Sequence, residues 1–300
     1  MIELLSGENT FELTRAVRAR KEAFDGDSEQ YEATDLTNER MADLMAGQTL
    51  FASKRLIIID TPSANTSLWQ KLPTWLERVG DETHVVLVET KPDKRTATYK
   101  WLKSNVKTEE FVAWTSRDAE KAEEWLRHEA TRRGMKLTHN IARLLVRRVG
   151  LDQWQLHHAL EKLRLLDDVN EQSVTAIIEA RPDENVFELL TTALQGDQAR
   201  LQQMLSALSQ TEDAYRVFGL LSSQVIQLTA LTLGKGKDVA GDLGSSPFML
   251  NRLNPIASRL SADRAGQLLR IVAATDRRLK SSPADPWLLI EHMLMASSRV

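Results

Sequence analysis

The turn after the first apolar run of the sequence is the place where a phosphate-binding loop would lie. It reads SGENTF at 6–11. A P-loop has the pattern G-x-x-x-x-G-K-[ST], because glycines let backbone amides wrap the phosphates, the lysine neutralises them and the hydroxyl holds magnesium. Here Gly7 has no second glycine, lysine or hydroxyl in register, and Glu8 adds a negative charge. We therefore expect no nucleotide site, and interpret Gly7 as the residue of a tight strand-to-helix turn.

Other catalytic patterns are also missing. The chain has no cysteine and six histidines, none in an H-E-x-x-H motif, and it has no G-x-S-x-G elbow. Asp60 ends an apolar run where a magnesium-binding acid of an ATPase would fall, but without a phosphate cradle a strand-capping carboxylate is the better interpretation. The sequence predicts no catalytic residue, no metal and no cofactor.

One loop is unusually apolar. In the stretch 46–55 (AGQTLFASKR), Gly47 and Gln48 indicate a turn, which places Leu50 and Phe51 at or near a tip. Two large apolar side chains ringed by polar ones are typical of an anchor for a partner's pocket. The alternative is that both fold back onto the core. The residues alone leave both alternatives open.

Basic side chains concentrate near the end of the chain. The net charge is −3 overall, yet residues 214–300 carry a net charge of +5. Such a stretch can follow a phosphate backbone, or it can be the solvated face of a helical bundle. The same two interpretations apply to the i, i+4 cluster at 143–148. The basic residues concerned are Arg143, Arg147, Arg148, Arg252, Arg259, Arg264, Arg270, Arg277, Arg278 and Lys280.

The elements that must position these groups fall into two kinds. Apolar, β-rich runs alternate with helical stretches over the first part of the chain, which predicts a parallel sheet with helices on its faces. The third and fourth runs, RLIIID and HVVLVE, are almost continuously aliphatic and should be central strands. The predicted strands are 2–5, 31–36, 55–60, 84–89 and 109–114, and the predicted helices between them are 9–24, opened by Asn9, 37–45, 66–79 and 94–104.

Beyond Trp114 the sequence is helical throughout. We predict an α/β domain at 1–116, a small helical domain at 117–182 and a helical bundle at 183–300, with Pro182 at the second boundary. The four glycines within 234–244 predict a mobile loop. The absence of cysteine, of a signal-peptide pattern and of a long continuous apolar stretch favours a cytoplasmic protein that does not span a membrane.

Short motifs in a fixed order resemble the delta subunit of the bacterial DNA polymerase III clamp loader. The most specific is LFASKRLIIID at 50–60, and the others are IELLSG at 2–7, KPDKR at 91–95, ALEKL at 159–163, ENVFELL at 184–190 and AATDRRLKSSPADPW at 273–287. The resemblance spans the whole chain. It implies an AAA+-like α/β domain without a P-loop, a small helical lid and a C-terminal helical collar.

The resemblance also implies a role without catalysis. In that family an exposed hydrophobic pair enters a pocket on the beta sliding clamp and helps to open the ring. Here the pair would be Leu50 and Phe51, with Thr49 and Ser53 as flanking contacts. The collar would assemble with the ATPase (tau/gamma) and delta-prime subunits around primer–template DNA, which Arg270, Arg277 and Arg278 would face. The collar residue near the primer end is not matched, with Trp287 and Phe248 both open.

Two alternatives belong to other classes. A divergent AAA+ ATPase would bind ATP through an atypical loop, against which the missing lysine of the first turn counts. A helical DNA-binding module would use the +5 segment alone, and its affinity would fall steeply with salt.

Overall fold

The computed structural model describes residues 1–46, 54–166, 168–234, 238–245 and 247–299. They form two compact units, Met1–Trp114 and Thr115–Val300. The first contains every strand described and the second is helical. A division of the second unit at 182/183 stays a prediction.

The first unit is built on a five-stranded sheet in which every pairing is parallel, in the order β2-β3-β4-β1-β5. β3 and β4 lie inside the sheet, as their aliphatic sequences predict, and Ile57 lies opposite Val85 in their register. The strands are β1 Ile2–Ser6, β2 Asp27–Glu32, β3 Arg55–Asp60, β4 Thr83–Glu89 and β5 Lys107–Glu110.

Alternate residues of β3 and β4 point to opposite faces of the sheet, so that each face contributes to its own buried cluster. Ile57 and Ile59 belong to one buried cluster and Leu56 and Ile58 to the other. The predicted N-cap Asn9 is confirmed, since its side chain accepts the N–H of Glu12. The helices of this unit are α1 Thr10–Ala23, α2 Asn38–Ala46, α3 Thr66–Leu76 and α4 Ala97–Asn105.

The two edge strands differ from the prediction. The sequence predicts strands at 31–36 and 109–114, but β2 is Asp27–Glu32, β5 is Lys107–Glu110, and Ala33–Asp35 is a 3₁₀ turn. The physical reason is that an edge strand pairs on one side only and can be polar, so apolar residues do not mark its position. Ala33 and Leu36 are both buried, but Ala33 lies in this turn and Leu36 directly follows it, so neither belongs to a strand.

The second unit is helical, as predicted for the sequence beyond Trp114. Within the segment 234–244, predicted as a mobile loop, Val239–Leu243 form a short helix, because the Asp238 side chain accepts the N–H of Gly241 and caps it. Residues 235–237 of that segment lie outside the described residues. The helices are α5 Ala119–Arg132, α6 His139–Val149, α7 Gln153–Leu163, α8 Glu171–Ile177, α9 Pro182–Gln195, α10 Gln198–Thr211, α11 Ala214–Leu233, α12 Val239–Leu243, α13 Pro247–Ala257, α14 Ala262–Ser281 and α15 Pro286–Ser297.

α11 is a long apolar helix of 20 residues and packs against α9, α13, α14 and α15. By length and composition it could cross a membrane, although 44% of the window concerned is buried within the protein. A core helix of a bundle passes the same test, so this is weak evidence for a membrane span. Val217, Leu221 and Leu228 of α11 are fully or almost fully buried in one cluster that runs from α9 to α15.

Candidate functional site

The turn between β1 and α1 is closed by protein atoms. Gly7 has a φ of +131°, and a Cβ atom at this position would overlap the backbone carbonyl of Phe111. The Gly7 N–H donates to the carbonyl oxygen of Glu89 at 2.9 Å, and the Asn9 N–H donates to that of Phe111 at 3.0 Å. The tight turn predicted at Gly7 is confirmed, and only glycine fits it.

The first turn of α1 is also capped from within the chain. Asn9 Oδ1 accepts the N–H of Glu12 at 3.2 Å. A phosphate cradle needs amides that point at a ligand. At this turn the amides of Gly7, Asn9 and Glu12 already have protein acceptors.

A small cavity of about 250 Å³ lies beside this turn. Its two lysines are paired with carboxylates: Lys91 Nζ lies 3.4 Å from Glu8, and Lys94 Nζ lies 2.6 Å from Glu110. The hydrogen bond from Lys94 lowers the pKa of Glu110. The positive charges that could attract a phosphate are thus balanced locally.

A buried carboxylate ends β4 nearby. Glu89 is 2% exposed and accepts both the backbone N–H and the hydroxyl of Ser63, the latter at 3.0 Å. Burial raises the pKa of Glu89. Asp60 accepts a hydrogen bond from Gln30 Nε2, in agreement with a strand-capping carboxylate. The sequence analysis missed Glu89, although an acid at the end of an aliphatic strand was the available signal.

The predicted clamp-binding residues Thr49, Leu50, Phe51 and Ser53 lie outside the described residues. The elements on either side of them are described. Met41, Leu44 and Met45 of α2 are buried under the sheet.

After residues 47–53, β3 begins with Arg55, which pairs with Glu29 at 2.7 Å. The carbonyl oxygen of Lys54 accepts the N–H of Asp27 at 3.1 Å. Residues 47–53 thus follow α2 in the sequence and precede the amino end of the central strand β3. Because all strands are parallel, the amino end of β3 lies at the end of the sheet opposite the Gly7 turn.

The predicted DNA-facing residues Arg270, Arg277 and Arg278 lie on α14 and are exposed. Arg270 and Arg277 are seven residues apart and so share one face of the helix. That face is opposite the side that buries Leu268 and Val272. Within the described part of the chain, no carboxylate lies within 4.0 Å of these three guanidinium groups.

The remaining basic residues divide into two groups. Arg143, Arg259, Arg264 and Lys280 are exposed, whereas Arg147, Arg148 and Arg252 are partly or fully buried, so neither interpretation from the sequence holds for these last three. Arg148 is 8% exposed and donates to the carbonyl oxygens of Thr175 and Ile178. Its neighbour Arg143 lies 3.7 Å from Glu123. These contacts join α6 to α5 and to the end of α8, and they engage Arg148 inside the protein while Arg143 stays exposed.

One buried carboxylate joins two of the remaining arginines. The Glu184 side chain is fully buried, 3.0 Å from Arg147 and 2.6 Å from Arg252. Arg252 also lies over the Phe187 ring, 3.8 Å from its centroid, and burial lowers the pKa of its guanidinium. Glu184 thus binds α6 and α13 to α9. Sequence reasoning missed it because its partners lie 37 and 68 residues away.

Comparison with known proteins defines the class of fold first. The Bacillus subtilis DNA clamp loader delta protein (YqeN) superposes with a TM-score of 0.56 at 18% identity, over 100% of this chain and 95% of that one. A replication initiator DnaA bound to AMPPCP and single-stranded DNA superposes with a TM-score of 0.47 at 8% identity, over 98% of this chain and 87% of that one. No curated protein sequence matches significantly. The chain has the fold of a clamp loader subunit, a parallel α/β unit followed by helical domains.

A family model matches part of the second unit. Residues 183–297 match the family model of the DNA polymerase III delta subunit, C-terminal domain. The resemblance drawn from the sequence is confirmed by this match, and the whole chain is similar in fold to a clamp loader delta protein.

Proposed function

We propose that this chain acts as the delta subunit of a clamp loader: it binds and opens the beta sliding clamp so that the ring can be loaded on primed DNA, and it does not hydrolyse ATP itself. The observation that carries the proposal is the match of residues 183–297 to the delta C-terminal domain. The full-length likeness to a clamp loader delta protein supports it.

The partners follow from the same assignment. Leu50 and Phe51, with Thr49 and Ser53 beside them, contact the clamp. Residues 183–300 assemble with the tau/gamma ATPase and delta-prime subunits in the cytoplasm. Arg270, Arg277 and Arg278 face primer–template DNA within that assembly, where their exposed and unpaired guanidinium groups attract phosphates.

The absence of hydrolysis is supported by the β1–α1 turn. Its amides donate to Glu89, Phe111 and Asn9, and the nearby lysines are paired with Glu8 and Glu110. A nucleotide would have to break these bonds before it could use the amides. Titration of the purified chain with ATP and magnesium should give no saturable heat, whereas tight binding with turnover would favour a divergent AAA+ ATPase.

The deciding experiment measures binding of the purified chain to its sliding clamp without nucleotide. We expect Leu50→Ala with Phe51→Ala to weaken binding at least tenfold, because loss of an apolar anchor costs about 2 kcal/mol or more and about 1.4 kcal/mol is a factor of ten. The matched control is Val112→Ala with Leu165→Ala, which truncates side chains that are 67% and 82% exposed.

Each outcome is distinct. Loss of binding in the tip variant alone supports the proposal, provided that its melting temperature is unchanged. Equal loss in the control points to general destabilisation, which the melting curves would show. Unchanged binding in the tip variant places the clamp-binding surface elsewhere, and no binding by the wild type contradicts the proposal.

A further inference from the structure

An open cavity of about 610 Å³ in the second unit has an unpaired arginine in its wall. It is formed by the end of α6, by α7, by the residues between α8 and α9, by the start of α9 and by the end of α10. Arg181, the residue just before α9, contributes its guanidinium. The cavity is unconnected with any residue assigned to the clamp or to DNA above.

Arg181 is held in place by its surroundings. Its backbone N–H donates to the carbonyl oxygen of Arg148 at 2.8 Å. The guanidinium lies flat against Gly150, where a Cβ atom would be 2.8 Å from Nη1 and 3.0 Å from the central carbon. Gly150 has a φ of +95°, so both the backbone and the arginine require glycine here.

The guanidinium lacks a counterion. No carboxylate of the described residues lies within 4.0 Å of it, and its Nε is buried without a hydrogen-bond partner. A buried N–H without an acceptor costs free energy, and the charge of the guanidinium has no carboxylate to offset it. The side chain is thus fixed and unsatisfied at once.

Two further arginines lie near Arg181. Arg147 and Arg252 pair with the same buried carboxylate, Glu184, at 3.0 and 2.6 Å, and the charge of Arg181 contributes to the lowered pKa of Arg252, after burial as the main cause. Arg148, also in the cavity wall, donates to the backbone carbonyls of Thr175 and Ile178. Among the described residues, Glu184 is thus engaged by Arg147 and Arg252 and does not pair with Arg181.

The rest of the wall sets the kind of ligand. Lys162 is exposed, has no carboxylate within 4.0 Å among the described residues, and lies on α7 together with His158. Two of the acids in the wall are engaged elsewhere: Asp152 caps α7 through Gln155, and Glu212 pairs with Arg216 at 3.4 Å. The third, Glu179, is exposed.

We propose that this cavity binds a phosphomonoester, with its phosphate on Arg181 and Lys162. Arginine binds phosphate through two parallel N–H donors, and lysine adds a point charge. The volume falls in the range of small-molecule sites and exceeds the needs of a lone phosphate, so the ligand carries a further group against the apolar wall. Val149, Leu151 and Ile178 contribute that wall.

The test is calorimetric titration of the full chain with phenyl phosphate, inorganic phosphate and benzoate at matched ionic strength. We expect saturable binding of phenyl phosphate, weaker binding of inorganic phosphate and little binding of benzoate. Arg181→Gln should weaken the phenyl phosphate complex at least tenfold and Lys162→Gln severalfold. Arg18→Gln, the same change on an exposed residue of α1, should leave the affinity unchanged.

The variants separate binding from folding. Lys162 is exposed, so Lys162→Gln tests the site even if Arg181→Gln unfolds because it loses its packing on Gly150. Absence of saturable binding, equal affinity for benzoate, or full affinity in both cavity variants would overturn the proposal. So would an equal loss in Arg18→Gln, which would indicate non-specific attraction of anions.

Discussion

The carbonyl group of Phe111 occupies the space that a side chain on Gly7 would need. The same carbonyl accepts the N–H of Asn9 at 3.0 Å. The chain that follows β5 therefore closes the turn between β1 and α1. In a phosphate-binding loop that space is held open for a ligand.

Gly7→Ala should destabilise the protein by several kcal/mol, since a residue with a side chain in this backbone region alone costs about 1–3 kcal/mol and the overlap with Phe111 adds to it. Urea unfolding measures the change. Gly80→Ala is the control, because its Cβ meets nothing within 4 Å, and it should shift the free energy of unfolding by less than about 1 kcal/mol. Equal effects of the two would show that the closed turn has no role in stability.

The central part of the fold could be predicted from sequence, and the edges could not. β3 and β4 are aliphatic because both of their faces are buried, so their bounds follow almost directly from the residues. β2 reads DSEQYE and is held by pairing with β3 on one side. Its position depends on a neighbour in space, which no local pattern reports.

The roles of the arginines show the same limit. Arg270 and Arg277 are exposed as a helical pattern predicts, because the apolar residues of α14 define its buried side. Arg147 and Arg252 look identical in sequence but share Glu184 inside the protein. What separates the buried arginines from the exposed ones is a contact between helices, which no local pattern shows. Leu50 and Phe51 were assigned to the clamp through the family resemblance, since their residue types alone left two alternatives open.

Glu184→Gln should cost about 3–5 kcal/mol of unfolding free energy, because it leaves the largely buried Arg252 and the partly buried Arg147 without their carboxylate. Glu188→Gln on the same helix is the control. Its side chain is 31% exposed and 3.9 Å from Arg200, so the expected loss is at most about 1 kcal/mol. Denaturant unfolding of both variants decides the point, and a small loss for Glu184→Gln would mean that Arg147 and Arg252 reach water.

The stability of the first unit should depend on pH through Glu89. Burial raises the pKa of Glu89 in the folded state above its ordinary value of 4.5. Its contribution is therefore fully present below about pH 4.5 and is lost as the pH rises through the raised value, because the unfolded chain ionises more readily. Glu89→Gln has no such charge, so its stability relative to the wild type should increase between pH 4 and about pH 7.

Ser63→Ala tests the hydrogen bond between Ser63 and Glu89 by removing its donor. It removes the hydroxyl that stabilises the ionised carboxylate, so the loss of stability with rising pH should be steeper than in the wild type. Unfolding free energies at several pH values for the three proteins give the comparison. A Glu89→Gln profile parallel to that of the wild type would show that another group controls the pH dependence.

Arg270 and Arg277 should contribute to DNA binding through charge alone, because they lie on one exposed face of α14 and no described carboxylate is near them. Each phosphate contact adds about 0.9 to the slope of the logarithm of affinity against the logarithm of salt concentration. The double variant Arg270→Gln/Arg277→Gln should therefore bind labelled primer–template DNA more weakly, with a slope reduced by about 2. Arg18→Gln/Arg95→Gln removes the same charge from side chains that are 79% and 91% exposed on the first unit, and should keep the wild-type slope. If both pairs lower the slope equally, the chain attracts DNA by net charge and α14 is an ordinary solvated face.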